Sequence, residues 1–336
     1  MPSREIQHKL SQLYALDRAN GERVSRQRRE EAYVKEPRLR EVYDSLRTIG
    51  PALSRLALGE GGNDTSARAL ELREKQRGLV ALRDELLEGL GITPSFFSDT
   101  HKCRLCKDTG FDDLARAHCS CLNKKKIELF YGKHVPSANE TFDKFEIKHY
   151  SEEALPSGVS PRRQMGANLN AARNFAKHFV NNTHSEAGNL FLHGETGLGK
   201  TLMCNAIFNE VVQAGSLALY VPAPELFGLV EVSRFSKNEE EQYEAEVSVE
   251  LLYDADLLII DDLGSEFSTV VTSAELFNIL NTRLLHKRAM IISSNLSFQN
   301  IQSTYSDRVC SRILGNFTML KFCGEDMRLK LMKRKI

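Results

Sequence analysis

Two hydrophobic patterns divide the chain. From Asn189 onward, short apolar runs alternate with stretches of helical spacing. Asn189-Leu190-Phe191-Leu192-His193 is followed by a helix-like stretch from Leu202 to Val212. Leu217-Ala218-Leu219-Tyr220-Val221 runs as a second strand, closed by Pro222 and Pro224, and Glu225 to Tyr253 is largely helical in spacing. Leu257-Leu258-Ile259-Ile260 then ends in Asp261-Asp262, Ala274 to His286 reads as a helix, and Ala289 to Asn295 is a further strand ending on a polar residue. Ser306 to Arg312 falls in another helix, and Phe317 to Phe322 makes a last strand. A run that is apolar at every position, and too short for a long helix, marks a buried parallel strand. Strands alternating with helices predict one parallel, doubly wound α/β sheet, with the last strand beside the first.

The residues before this region have helical periodicity only. Ile6 to Lys35 places Ile6, Leu10, Leu13 and Leu16 near one face, and Arg38 to Leu58 follows Pro37, a residue suited to a helix start. Gly59-Glu60-Gly61-Gly62-Asn63 breaks the pattern. Leu72, Leu79, Leu82, Leu86 and Leu90 then share a face, with Asp64 or Thr65 as candidate caps. This charge-laced part predicts a helical bundle or coiled-coil hairpin over residues 1–95. Ser151 to Pro161, with Pro156, Gly158 and Pro161, reads as a linker or surface loop, and Asn168 to Val180 returns to helical spacing. The predicted divisions are a helical region over residues 1–95, a cysteine-bearing module over 96–130, a linker over 131–165 and the α/β domain over 166–336.

Composition narrows the function classes. The 336 residues are 41% hydrophobic, enough for real cores, and Lys+Arg and Asp+Glu balance at 45 each. Any nucleic-acid contact must therefore come from local basic patches. No apolar run approaches the roughly 20 residues of a membrane helix. The start, Met1-Pro2-Ser3-Arg4-Glu5, carries charge where a signal peptide is apolar. Seven cysteines, an odd number with four close together, suit a reducing compartment, so a cytosolic protein is expected.

Three clusters carry candidate chemistry. Gly194-Glu195-Thr196-Gly197-Leu198-Gly199-Lys200-Thr201 lies between a strand-like and a helix-like run. Its glycines let consecutive backbone N–H groups curl around phosphate oxygens at the positive end of a helix. Lys200 then reaches the β- and γ-phosphates, and the Thr201 hydroxyl holds Mg²⁺. Asp261 and Asp262 emerge at the carboxyl end of their strand, where open α/β sheets bind ligands. Asp261 is expected to hold Mg²⁺, and Asp262 to orient or deprotonate the attacking water. Together these motifs predict binding and hydrolysis of a nucleoside triphosphate. The third cluster is Cys103 and Cys106, followed by His118, Cys119 and Cys121. This is structural zinc spacing, with Cys119 or His118 as the third ligand. A redox role is disfavoured, because no thioredoxin-like βαβ pattern surrounds the C-x-x-C.

The second half of the chain resembles the AAA+ ATPase domain of the bacterial DnaC/DnaI family of replicative helicase loaders, close to the IstB transposition ATPases. The resemblance rests on Gly194–Thr201, Leu257–Gly264, Ser293-Ser294-Asn295, Asp307–Arg312 and Gly324-Glu325-Asp326-Met327-Arg328. It implies a sensor role for Asn295, an arginine finger acting on a neighbouring subunit at Arg312 with Arg308 as second candidate, and a second sensor at Arg328. It also implies self-association through the ATPase domain. The front half is similar to the branch of that family in which a zinc-containing, helicase-binding domain precedes the ATPase. Its helical stretch before Cys103 is longer than that domain implies. Too few residues follow the last strand for a full helical lid, an abbreviation the loader family shares. The resemblance thus implies an ATP-dependent loader of a DnaB-type helicase onto single-stranded DNA, using ATP, Mg²⁺ and Zn²⁺. An IstB-like regulator of transposition and a weakly hydrolysing, ATP-gated adaptor are the alternatives.

Overall fold

The computed structural model describes residues 4–58, 65–98, 100–112, 114–131, 139–156, 158–181, 188–328 and 330. These fall into two compact units, Ser11–Cys119 and Met1–Leu10 with Ser120–Ile336.

The front of the chain forms three helices, α1 (Arg4–Lys35), α2 (Arg38–Ala57) and α3 (Thr65–Gly89). Pro37 stands at the N-cap of α2, where a missing N–H costs nothing. Asp64 and the Thr65 side chain, expected as caps of α3, lie outside the described residues, as does the break at 59–63. Along α1 the buried positions are Ile6, Leu10, Tyr14, Asp17, Gly21, Ser25 and Ala32, while Leu16 is 58% exposed. The inward stripe thus keeps helical spacing but passes through Asp17 and Ser25. Apolar periodicity therefore drifted onto Leu16. Asp17 is held by Lys102 Nζ at 2.7 Å, and Ser25 Oγ donates to the Ser98 carbonyl at 3.0 Å. The core of this unit gathers Ala32, Leu39, Leu87 and Phe97, with Tyr33, Tyr43 and Phe96 packed around them. The Leu72–Leu90 face is only half-buried. A two-stranded antiparallel ribbon, β1 (Phe111–Asp112) with β2 (Ala117–His118), follows.

In the second unit, α4 (Cys121–Tyr131) and α5 (Pro161–Asn181) precede the sheet. Its strands and helices then alternate as expected: β3 (Leu190–His193), α6 (Lys200–Gln213), β4 (Ala218–Pro222), α7 (Ala223–Phe235), α8 (Glu239–Asp254) and β5 (Leu257–Leu263). After these come α9 (Val270–Leu285), β6 (Ala289–Ser294), α10 (Phe298–Thr304), α11 (Asp307–Asn316) and β7 (Thr318–Lys321). All pairings in the five-stranded sheet are parallel, in the order β4-β5-β6-β3-β7. The last strand lies beside the first, in the expected place.

β5 shows why its sequence reads as unbroken apolar residues. Successive side chains point to opposite faces of a sheet. Leu257 and Ile259 join Met165, Leu169, Phe175 and Phe179 of α5 and Met203, Ile207 and Phe208 of α6. Leu258 and Ile260 join Leu226 and Val230 of α7, Leu251 of α8, Leu276 and Ile279 of α9, and Val309 and Ile313 of α11. With helices on both faces, no strand position can be polar until the chain emerges at the carboxyl edge.

One cation breaks this apolar layer. Arg283 of α9 is 1% exposed, yet its guanidinium donates to the carbonyls of Leu252, Tyr253, Ala255 and Ala289 at 2.6, 3.4, 3.0 and 2.8 Å. Burial pushes its pKa down to about 9. The acceptors are the orphan carbonyls at the end of α8, which attract a cation, and the first carbonyl of β6. Arg283→Leu would leave these buried acceptors unpaired, each costing about 1–3 kcal/mol. Urea unfolding is expected to show a loss of at least about 4 kcal/mol, against under about 0.5 kcal/mol for an exposed control such as Lys287→Ala.

Candidate nucleotide and metal sites

The loop between β3 and α6 is built around glycine. Gly199 is the N-cap of α6 at φ 90°, a conformation that L side chains rarely adopt. A Cβ there would also stand 2.9 Å from the Phe145 ring and 3.1 Å from the Tyr150 hydroxyl. Lys200, 7% exposed, donates from Nζ to the loop carbonyls of Gly194 and Glu195 at 2.7 and 2.8 Å. Its ammonium is thereby held across the loop whose N–H groups would cradle a phosphate. Burial pushes the Lys200 pKa below its ordinary value, against the pull of Asp262 and Asp261.

Asp261 is 4% exposed and is the most heavily bonded group of the site. Its Oδ2 accepts from Thr201 Oγ1 at 2.9 Å and from the Tyr220 hydroxyl at 2.6 Å, and its Oδ1 accepts from Ser293 Oγ. Burial and then the Asp261 charge push the Tyr220 phenol far above its ordinary pKa, so this hydroxyl remains a donor. The next residue breaks from the strand. Asp262 has φ 56°, its N–H donates to Ser293 Oγ at 2.9 Å, and the pairing with β6 shifts register between Ile260 and Leu263. A non-glycine residue held in the left-handed region is strained, and such strain gathers at functional sites. Its effect is to leave Asp262 exposed beside the buried Asp261.

A cavity of about 400 Å³ is lined by Thr196 to Leu202, Asp262, Ser293 and Arg328, and the buried Asp261 lies behind Thr201 and Ser293, which bond it. The opposite wall comes from the stretch upstream of α5, which includes Glu140, Lys144, Phe145, Glu146, His149 and Tyr150. Phe145 and Tyr150 stack with ring centroids 5.8 Å apart, and the Tyr150 hydroxyl donates to the Leu198 carbonyl at 2.8 Å. Asn205 and Asn209 of α6 donate to the Glu140 carboxylate and carbonyl at 2.6 and 2.8 Å. Sequence reading treated this stretch as part of a linker. Phe142, Phe145 and Tyr150, spaced through it and buried in the sheet's core, were the available signal. At the far end of the cavity the Met327 N–H donates to the Gly197 carbonyl at 3.0 Å, and this holds Arg328 at the rim.

The remaining expected residues stand apart from the cavity. Asn295 is exposed at the corner after β6, and Ser293, two residues earlier, is the side chain that lines the cavity. Ser297, rather than Asn295, caps α10 by accepting from the Asn300 N–H. Arg308 and Arg312 are exposed on α11, opposite the buried Val309 and Ile313.

The cysteines meet as a group. One sulfur from each of Cys103, Cys106, Cys119 and Cys121 lies within 4.8 Å of the others, and Cys103 and Cys119 are 3.6 Å apart. That exceeds the roughly 2.05 Å of a disulfide. It is close to the roughly 3.8 Å edge of a tetrahedron with 2.3 Å zinc–sulfur bonds. His118 is exposed on β2, its ring 6.3 Å from the Phe111 ring, and is not in the group. Asp108, 1% exposed, accepts from the Lys102 and Cys103 N–H groups at 3.0 and 2.8 Å, while the Gly110 N–H donates to Cys106 Sγ at 3.4 Å. Backbone N–H groups and a carboxylate thus hold the knuckle in shape around four soft ligands, which fits a zinc ion.

Residues 172–335 match the family of IstB-like ATP binding proteins. The chain is 26% identical over 157 residues to the replicative helicase loader DnaC of Buchnera aphidicola subsp. Baizongia pistaciae (strain Bp), covering 46% of this chain and 63% of that protein. It is 30% identical over 147 residues to an insertion sequence IS21 putative ATP-binding protein of Pseudomonas aeruginosa, covering 42% of this chain and 53% of that one. It therefore spans less than two thirds of the length of either relative. A crystal structure of the DnaC helicase loader overlaps 54% of this chain and 98% of its own, with TM-score 0.42 and 18% identity. No described helix is long and apolar enough to cross a membrane.

Protein purified without chelator is expected to carry about one zinc per chain by elemental analysis, because small metal-closed segments fold with their metal. Cys103→Ser or Cys106→Ser should lose the metal and expose residues 101–126 to proteolysis. Metal-free protein with a protected knuckle would refute the zinc assignment.

Proposed function

We propose that the chain, whose residues 172–335 match the IstB-like ATP binding proteins and which is similar to DnaC loaders, is an ATP-dependent loader of a DnaB-type replicative helicase onto single-stranded DNA. The observation that carries the catalytic part is the separation of charges. Lys200, Thr201, Asp262 and Arg328 line one cavity, whereas Arg308 and Arg312 project from α11 outside its lining. An arginine so placed serves a nucleotide on a neighbouring copy, which makes turnover depend on assembly.

In this reading the loop N–H groups and Lys200 bind the phosphates, and Lys200 leaves the Gly194 and Glu195 carbonyls to do so. Thr201 and Asp261 would hold Mg²⁺, whose charge offsets that of the β- and γ-phosphates. Asp262, turned out of the strand, orients the attacking water and takes its proton. Arg328, at the cavity, acts as a sensor of the γ-phosphate, a role that the resemblance also implies for Asn295, which stands outside the lining. The residues 140–150 wall encloses the rest of the nucleotide. The cysteine module, with zinc, and the α1–α3 region would hold the helicase, while the ATPase domains touch DNA side by side in the cytoplasm.

Lys200→Ala is expected to abolish ATP binding, and Asp262→Asn to retain binding while losing turnover. Arg312→Ala should keep ATP affinity per chain and lose turnover by roughly 10³-fold, the scale of a trans arginine. Mixing Arg312→Ala with Lys200→Ala subunits should then restore activity, because intact sites meet intact arginines. A mixture that stays inactive although mixed oligomers form would remove Arg312 from this role and leave Arg308 to be tested the same way.

The loader assignment itself is tested by affinity capture from the native host. A replicative helicase is expected to co-purify and to exchange onto single-stranded DNA in the presence of ATP. Capture of a transposase with duplex DNA instead would favour the IstB-like regulator. ATP-dependent capture without measurable steady-state turnover would favour the adaptor.

A further inference from the structure

The turn that follows Asp262 is tied by side chains to the corner from which α11 departs. Ser265 donates to the Asp262 carbonyl from both its N–H and its Oγ, at 3.1 and 2.8 Å. Gly264, the residue before Ser265, has φ 102°, and a Cβ there would stand 2.5 Å from Leu296. Its N–H donates to Glu266 Oε2 at 3.0 Å, and Glu266 Oε1 accepts the Tyr305 hydroxyl. Tyr305 is the C-cap of α10 and is 4% exposed. Ser268 Oγ and Ser273 Oγ both donate to the Thr304 carbonyl, at 2.9 and 3.4 Å. Ser306, the N-cap of α11, is bonded covalently to Tyr305, and Arg308 and Arg312 lie on the helix it starts.

A continuous path thus runs from the Asp262 backbone through Ser265 and Glu266 to Tyr305 and α11. The tyrosine suits such a link, because its ring is rigid and its only mobile end is fixed by the carboxylate. Burial, followed by the Glu266 carboxylate, pushes the phenol well above its ordinary pKa, so the hydroxyl stays protonated and donates. Glu266 bridges two donors that belong to different elements, one from the turn after β5 and one from the α10–α11 corner. Glu266 thus ties the turn to the corner through hydrogen bonds separate from the apolar seat of Val309 and Ile313.

We propose that Glu266 and Tyr305 are positioning residues that set the presentation of the arginines on α11 according to the state of the nucleotide pocket beside Asp262. This rests on the trans-arginine reading above. Neither residue touches the reacting atoms, and both act through Arg312 or Arg308. A subunit's own pocket would thereby govern how well it serves its neighbour's.

The test separates the subunit that supplies the arginine from the one that hydrolyses ATP. Arg312→Ala subunits, with intact pockets, are mixed with Asp262→Asn donors, which hold ATP without hydrolysing it, or with Lys200→Ala donors, whose pockets stay empty, and ATP turnover is titrated against donor concentration. The same titrations are run with Tyr305→Phe added to each donor. The two plain donors are expected to differ in maximal rescued rate. Tyr305→Phe should remove that difference and lower the rate with the better donor about tenfold, on the scale of one hydrogen bond to a charged group. The donor concentration for half-maximal rescue should stay within about twofold. Asp262→Asn/Glu266→Gln donors, which keep an oxygen for Tyr305, should rescue better than Asp262→Asn/Glu266→Ala donors. Equal rescue by the two plain donors, full rescue by the Tyr305→Phe donors, or a loss confined to the half-maximal concentration, would overturn the coupling and leave a plain structural staple. Failure of both plain donors would instead remove the trans arginine, and the coupling with it. If Tyr305→Phe lowers the thermal midpoint enough to unfold the donor, the Glu266→Gln and Glu266→Ala pair decides.

Discussion

The buried carboxylate of Asp261 is the constraint on which the nucleotide end of the sheet depends. A charge removed from water must find hydrogen bonds, and Asp261 takes them from Thr201, Tyr220 and Ser293. Those three donors sit on α6, β4 and β6, while Asp261 is on β5. One side chain therefore laces together the phosphate-loop helix and three neighbouring strands at their carboxyl ends. The donors are all neutral. They satisfy the lone pairs but supply no countercharge, which a divalent cation held by Thr201 and Asp261 would add.

The same strand end separates two chemically identical neighbours. Pleat sends Asp261 to the face of α6, where it meets Thr201, and alone would send Asp262 to the opposite face, away from the phosphate loop. The left-handed conformation of Asp262 and the register shift beside it turn the second carboxylate out into the cavity instead. Ser293 participates in both halves of this arrangement, since its Oγ donates to Asp261 and accepts from the Asp262 N–H. The strain of that residue is thus stabilised by the bonds that also hold the buried acid. The turn is fixed further by Ser294, whose Oγ donates to the Leu263 carbonyl at 2.6 Å.

The cysteine module solves a different problem. A short segment with one two-stranded ribbon buries too little apolar surface to fold on hydrophobicity alone. Four cysteines in one cluster, shaped by Asp108 and by the Gly110 N–H, would let metal–thiolate bonds stand in for a core. In α1 the burial of Asp17 is likewise tolerated because Lys102 meets it, so a polar side chain occupies a position that an isolated amphipathic helix would give to leucine.

Much of this was legible in the chain itself. The phosphate loop, the acidic strand end, the alternation of strands and helices and the cysteine spacing are all patterns local in sequence. Their chemistry is set by residues a few positions apart, so periodicity and spacing suffice to read them. What the tertiary structure decided depends on which segments become neighbours. Tyr220 and Ser293 meet Asp261 only because β4, β5 and β6 are adjacent, and residues 140–150 wall the cavity only because α5 and α6 share one face of the sheet. Arg283 is intelligible only beside the end of α8. Asn295, Arg308 and Arg312 could be picked out by motif, but their exposure outside the cavity follows from how the corner after β6 and the buried face of α11 seat on the sheet. Spacing along a chain measures contact distance for local groups alone, and for groups tens of residues apart only strand order and packing set that distance.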